Sequence, residues 1–156
     1  MLPPDLITET RIVCRSEVAS KKRLLESLGE LLADDIGGLT REAAFEHLLE
    51  RERLGSTGLG KGVALPHARM VEVEAPVGAF IQLRSSIEFD AIDDAPVDLA
   101  LALLVPDKAH EHYLSLLAEL AEQFSNAALR QRLRAAQTPS ELLHILTGHN
   151  GDGRSD

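Results

Sequence analysis

The chain has 156 residues, of which 44% are hydrophobic and 26% charged, and this composition predicts one globular domain with its own core. The formal net charge of −9 argues against general nucleic-acid binding, and no apolar run reaches the length of a membrane span. A single cysteine, Cys14, excludes an intramolecular disulfide framework. Because the sequence also lacks a signal-peptide pattern, we expect a cytoplasmic protein.

Two amphipathic helices are predicted before the first strand. Ser20 is placed to cap the first helix and Gly37-Gly38 to end it, while Thr40 is placed to cap the second. Apolar residues recur at helical spacing in both segments, which predicts one buried face on each helix. For the first helix they are Leu24, Leu25, Leu28, Leu31 and Leu32, and for the second they are Phe45, Leu48 and Leu49.

Four apolar segments then predict strands. Residues 63–65 follow a glycine-rich loop and end at Pro66, which has no N–H to give to a sheet. Residues 77–83 alternate in the manner of a strand. One face of that strand would carry Val77, Ala79, Ile81 and Leu83. Residues 87–91 predict a short edge strand, and the almost continuous apolar run 97–105 predicts a strand covered on both faces.

Three helices are predicted after the last strand. Asp107 is expected to cap the first of them, and Thr138 with Glu141 forms a capping box for the last, with Pro139 at its first position. The inner residues of these helices would include Leu114, Leu117, Leu120, Ala121, Phe124, Leu129 and Leu133. Helices, strands and helices in this order predict an α/β or α+β sandwich, and the pattern leaves the strand order open. We expect the domain to span residues 1–150 and a disordered tail to follow over 151–156.

The segment 54–69, LGSTGLGKGVALPHAR, concentrates the candidate chemistry. Its part 55–62 is close to a nucleotide-binding P-loop but departs from it twice. Gly62 stands where the magnesium-binding hydroxyl is needed, and a strand rather than a helix follows. What remains is an anion cradle, in which backbone N–H groups and the hydroxyls of Ser56 and Thr57 could hold a phosphoryl group.

His67 follows the predicted strand directly and lies beside that loop. A lone histidine is more often structural, but its position beside a loop rich in donors favours the transfer of a charged group. Arg51 and Arg53 could either be an exposed pair or contact phosphoryl oxygens. Metal binding is weakly supported, because His110 and His112 in an H-x-H pattern do not share a helix face.

Four segments, which together span nearly the whole chain, resemble the enzyme IIA domains of the bacterial phosphotransferase system. The likeness is to the fructose/mannitol type, and within it to the nitrogen-regulatory IIA branch. The segments begin at Ser20, Arg51, Phe89 and Arg132 and read SKKRLLESLGELL, RERLGSTGLGKGVALPHAR, FDAIDDAPVDLALALLVP and RLRAAQTPSELLHIL. The pattern LGSTG-x-G-x-G-x-A-x-PH is highly specific for the family.

The resemblance implies a single α/β domain in which helices flank a mixed, mostly parallel sheet, as in mannitol-type IIA domains. It implies that His67 accepts a phosphoryl group from the phosphohistidine of an HPr-like carrier, with Arg51 as the active-site arginine. No metal and no organic cofactor are implied. Because the chain lacks the IIB and membrane domains of a sugar permease, a regulatory phosphocarrier is favoured. In relatives, the regulated partners include potassium-transport components and sensor kinases.

The sequence departs from its relatives at positions around the expected site. Ala68 stands where relatives usually have glycine, and Lys61 stands where they have asparagine or glutamine. Relatives also carry a second histidine near the start of the helix after LLVP. Ungapped matching places Tyr113 there, with His112 beside it, so either side chain could complete a phosphoryl-binding site.

Two other functions are compatible with the sequence. The chain could be a sugar-specific IIA component that passes phosphate to a separate IIB domain. It could also be a binding regulator that is no longer phosphorylated.

Overall fold

A six-stranded mixed sheet forms the centre of the computed structural model, which describes residues 2–34, 36–108 and 110–148. Its strands are β1 (Ile12–Ser16), β2 (Gly58–Gly60), β3 (Val63–Ala64), β4 (His67–Met70), β5 (Val77–Ile87) and β6 (Val97–Pro106). They follow the order β1-β5-β6-β3-β2, and β4 also pairs with β6. Within the described residues, three of the five strand pairings are parallel, and β5·β6 and β2·β3 are antiparallel. The expected fold class, a mixed and mostly parallel sheet in one domain, is therefore confirmed.

Helices cover both faces of this sheet. They are α1 (Lys21–Ala33), α2 (Arg41–Leu54), α3 (His110–Phe124), α4 (Ala127–Ala135) and α5 (Pro139–Thr147). The leucines of α1 pack with one face of β5, including Ala79 and Ile81. The opposite face of β5, represented by Phe80, packs with Leu120 of α3 and Leu142 of α5. The sandwich therefore buries β5 and β6 between two helices on one side and three on the other.

The predicted helix starts are largely confirmed by capping hydrogen bonds. Ser20 Oγ accepts from the N–H of Arg23, and Thr40 and Thr138 accept in the same way at the starts of α2 and α5. The start of α3 differs from the prediction, because that helix begins at His110, three residues beyond Asp107. The N-cap directly precedes the first helical residue, and Asp107 lies three residues before His110, so Asp107 is not the N-cap of α3.

The strand predictions need four corrections. β1 precedes α1 and pairs in parallel with β5, although no strand is predicted before the two helices. The glycine-rich loop contains a strand of its own, β2, which forms a hairpin with β3. Pro66 interrupts the extended chain but does not end it, because the chain resumes as β4 along the same edge of β6. The predicted edge strand 87–91 is wrong: Ile87 is the last residue of β5, and the backbone turns into the left-handed region at Asp90 (φ 57°).

Two further expectations concern side chains and the end of the chain. Leu114 was expected in the core, but it is 49% exposed because it faces a cavity at the start of α3. The predicted tail, 151–156, lies outside the described residues. No helix within the described part of the chain has the length and apolar character that crossing a membrane requires.

Candidate active site

His67 is held at the first position of β4, in register with Leu103 of the central strand β6. The extended segment reaches this position because the carbonyl oxygen of Pro66, which proline retains, accepts from the N–H of Leu103 at 2.9 Å. The ring Nδ1 of His67 lies 2.8 Å from the carbonyl oxygen of Leu65. A carbonyl oxygen can only accept, so Nδ1 carries the proton and Nε2 of the neutral ring keeps its lone pair.

The surroundings of His67 favour its neutral form. Burial lowers the pKa of His67 below its ordinary value of 6.5, and the positive charge of Arg51 lowers it further. The hydrogen bond to Leu65 and the charge of Glu52 act in the opposite direction, but they do not outweigh burial. At neutral pH the imidazole therefore has an unprotonated nitrogen, which is what a nucleophile requires.

A cavity of about 710 Å³ opens beside His67. Arg51 and Leu54 from the end of α2 form one wall, and Tyr113 and Leu114 from the start of α3 form another. Arg51 is half-buried, and its Nη1 donates to the carbonyl oxygen of Gly55 at 2.9 Å. The structure therefore brings His67, Arg51 and Tyr113 to the walls of one cavity.

Ser56 and Thr57, which the sequence places in a possible anion cradle, do not line this cavity. Ser56 Oγ donates to the carbonyl oxygen of Phe89 at 3.0 Å and accepts from the N–H of Gly58 at 3.1 Å. The Thr57 hydroxyl donates to the carboxylate of Glu52, and the Thr57 N–H bonds to the same carboxylate at 2.9 Å. Both hydroxyls therefore hydrogen-bond to groups outside the loop, Phe89 and Glu52.

Tyr113 and His112 occupy different positions on α3. Tyr113 lies between the His67 cavity and a second cavity of about 460 Å³, whereas His112 lines only the second. The two rings pack edge to face with centroids 5.1 Å apart. Because neighbouring residues of a helix point about 100° apart, one of them faces the His67 cavity and the other turns away from it.

Two features of the site were missed by reasoning from the sequence. Arg69 lines the cavity because it lies two residues after His67 on β4, and alternate residues of a strand share a face. The signal was present in the segment PHAR, but the prediction ended the strand at Pro66. Glu52 was also missed. The available signal was its position in the last turn of a helix, where the helix dipole disfavours a negative charge unless a cationic partner stabilises it.

Neither Lys61 nor His112 lines the His67 cavity. Lys61 is exposed at the turn of the β2–β3 hairpin, with its backbone in the left-handed region (φ 58°). His110 is the first residue of α3. Within residues 2–34, 36–108 and 110–148, no three His, Cys, Asp or Glu side chains are grouped so that they could hold a metal ion.

In this sandwich His67 lies at the start of β4, beside a cavity lined by Arg51 and Arg69. The family described as phosphoenolpyruvate-dependent sugar phosphotransferase system, EIIA 2, matches residues 5–149. The chain therefore belongs to this family of enzyme IIA proteins.

Its relatives include nitrogen regulatory proteins. It is 40% identical over 142 residues to that of Pseudomonas aeruginosa, with 91% of this chain and 92% of the relative covered. It is 45% identical over 148 residues to that of Escherichia coli K12, with 92% and 86% covered. The crystal structure of nitrogen regulatory protein IIA-Ntr from Neisseria meningitidis superposes with a TM-score of 0.87 at 43% identity, with 92% of this chain and 98% of that one covered.

Proposed function

We propose that this chain is a phosphocarrier of the nitrogen-related phosphotransferase branch. In this proposal His67 accepts a phosphoryl group from the phosphohistidine of an HPr-like carrier protein. The observation that carries the proposal is the hydrogen bond from Nδ1 of His67 to Leu65, which leaves Nε2 with a lone pair beside an arginine-lined cavity. The family and the nitrogen regulatory relatives support the same role.

The transfer is an in-line exchange between two imidazoles. Nε2 of His67 forms the new P–N bond, and the old P–N bond breaks with its electron pair returning to the donor histidine. The attacking ring gains positive charge, and the Leu65 carbonyl, which already accepts from Nδ1, stabilises that charge. The Arg51 guanidinium would hold phosphoryl oxygens as negative charge shifts during transfer.

The regulatory part of the proposal follows from similarity to the nitrogen regulatory proteins. The phosphorylation state of His67 would change the charge and shape of the cavity mouth, where Leu54 is 85% exposed. A partner that packs on this mouth would then distinguish the two forms. Potassium-transport components and sensor kinases are the classes of partner that we propose to examine first.

Label transfer is the direct test of the carrier function. The chain is incubated with an HPr-like carrier that bears a labelled phosphohistidine, and acid-labile, base-stable label on the chain is measured. We expect label on the wild type and on His144→Gln, which changes a histidine on α5, and none on His67→Ala. Full labelling of His67→Ala would overturn the assignment, and absence of label on the wild type would favour a binding regulator.

A sugar-specific function is the second candidate. The chain is 34% identical over 128 residues to the fructose-specific EIIA component of Haloferax volcanii. Its identity to the nitrogen regulatory proteins cited above is higher, at 40% and 45%, which favours the first proposal. Rapid passage of label from the phosphorylated chain to a fructose-type IIB domain would instead support the sugar-specific function.

A further inference from the structure

The carboxylate of Glu52 is a buried charged group close to the site. This residue is only 6% exposed and lies in the last turn of α2, where the helix dipole disfavours a negative charge. Its carboxylate accepts from the N–H and the hydroxyl of Thr57 and forms an ion pair with Lys21 Nζ at 2.8 Å. A buried carboxylate is costly unless it is paired and hydrogen-bonded, and here it is both.

The same network extends to two other segments. Lys21, the first residue of α1, donates from Nζ to the carbonyl oxygen of Phe89 at 3.0 Å, and Nζ lies 4.5 Å from the centroid of the Phe89 ring. The hydroxyl of Ser56 donates to that carbonyl as well. Loop 55–57 is therefore tied to α1, to α2 and to the segment after β5.

Loop 55–57 also orients the side chain of Arg51. The Gly55 carbonyl accepts from Arg51 Nη1 at 2.9 Å, and the Gly55 N–H bonds to the backbone carbonyl of Glu52 at 3.2 Å. Glu52 fixes Thr57 at one end of the loop, and the loop holds the Arg51 guanidinium at the other. Glu52 itself does not line the His67 cavity, so any effect on chemistry passes through this loop.

We infer that Glu52 is a positioning residue: together with Lys21 and Thr57 it fixes loop 55–57 and thereby sets the Arg51 guanidinium beside His67. The inference rests on the proposed phosphocarrier function. A buried ion pair is by itself weak evidence for stability, since well-packed apolar residues often serve as well. A fully satisfied polar network does restrict geometry, and misplacing a catalytic group by about 1 Å can slow a reaction about 100-fold.

Thr57 offers the sharpest test, because it can be changed without leaving a buried charge unpaired. Thr57→Val keeps the shape and removes the hydroxyl that donates to Glu52, whereas Thr57→Ser keeps the hydroxyl. We expect Thr57→Val to slow phosphoryl transfer about tenfold, which corresponds to about 1.4 kcal/mol, and Thr57→Ser to remain within about twofold of the wild type. Should Thr57→Val fail to fold, Thr57→Ala removes the same hydroxyl.

A double-mutant cycle separates positioning from a general loss of stability. In an Arg51→Ala background the Thr57→Val change has no guanidinium left to misplace, so we expect it to slow transfer by less than about twofold. An equal slowing in both backgrounds would overturn the inference, as would an unchanged rate in Thr57→Val. Rates are measured well below the melting temperature of every variant.

A second readout does not depend on phosphotransfer. The order of the Arg51 side chain is measured by ¹⁵N relaxation of its Nε–H group in the unphosphorylated protein. We expect this order to fall in Thr57→Val and to be kept in Thr57→Ser, and unchanged order in Thr57→Val would overturn the inference. If the wild type accepts no label, the proposed function fails, while this relaxation measurement still decides whether Glu52 and Thr57 position Arg51.

Discussion

Removal of the Arg51 guanidinium is the perturbation whose magnitude follows most directly from the structure. One N–H of Nη1 is donated to Gly55, which orients the guanidinium and leaves the other N–H groups of its fork for phosphoryl oxygens. A hydrogen bond to a charged group is worth about 1.5–3 kcal/mol. Because Arg51 is half-buried at the wall of a wide cavity, solvent screening favours the lower end of that range.

We therefore expect Arg51→Ala to slow acceptance of the phosphoryl group by about 10- to 30-fold, which corresponds to about 1.5–2 kcal/mol. Arg51→Lys keeps the charge but loses the fork and the bond to Gly55, so it should slow transfer by about 3- to 10-fold. The assay is single-turnover transfer of label from the phosphorylated carrier, stopped at millisecond to second intervals.

Arg41→Ala is the matched control for this experiment. It removes an exposed arginine from the first position of the same helix, about 15 Å from Arg51 along the helix axis. We expect its rate to match that of the wild type. Equal rates for Arg51→Ala and the wild type would refute the proposed role, and so would equal slowing by the two alanine variants.

Three further predictions concern α3, the β2–β3 hairpin and the titration of the nucleophile. Tyr113→Phe should slow transfer or shorten the phosphohistidine lifetime by about 2- to 10-fold, whereas His112→Ala should leave both unchanged; impairment by His112→Ala alone would contradict this placement. Lys61→Asn should raise the free energy of unfolding in urea by about 0.5–1 kcal/mol, because asparagine tolerates the left-handed backbone at the hairpin turn (φ 58°) better than lysine does; an unchanged or lower value would contradict this reasoning. His67 should titrate by NMR below 6.5, and its midpoint should rise in Arg51→Ala. Because the pKa of His67 is lower in the folded chain than in the unfolded chain, its protonation should lower the free energy of unfolding only as the pH falls below about 6.5. An NMR titration midpoint of His67 at or above 6.5 would contradict the burial argument.

The helices were the most predictable part of the fold. Their starts depend on local chemistry, because a side-chain hydroxyl accepts from the backbone N–H three residues later. This pattern can be recognised in the sequence at Ser20, Thr40 and Thr138. The start of α3 was less predictable. Aspartate is a residue type that commonly caps helices, but Asp107 lies three residues before the helix begins. The central strand β6 was recognisable from its almost continuous apolar run.

The short strands were harder to predict, because long-range pairing decides them. β2 consists of Gly58–Gly60, a segment with low strand propensity, and it is a strand because it pairs with β3. The segment 87–91 looks like a strand by composition, but the carbonyl of Phe89 bonds to Ser56 and Lys21. Pairing across the chain therefore determined these elements more than local preference did.

The candidate site was predictable in its types of residue but not in their connections. His67 was predicted from its position after the glycine-rich segment, whereas the resemblance to the enzyme IIA family singled out Arg51, and the structure places both at one cavity. The hydroxyls of Ser56 and Thr57 were expected to face an anion, yet they bond to Phe89 and Glu52. A sequence shows that a hydroxyl is present, but the tertiary fold determines which acceptor it reaches.

The position of the phosphate on the histidine tests the central claim most directly. The chain is labelled with ¹⁵N-histidine, phosphorylated by the HPr-like carrier, and examined by NMR for coupling between phosphorus and each ring nitrogen. Because Nδ1 of His67 is committed to the Leu65 carbonyl at 2.8 Å, we predict coupling to Nε2 of His67 and retention of the proton on Nδ1. Coupling to Nδ1 of His67, or to any other histidine, would contradict the account.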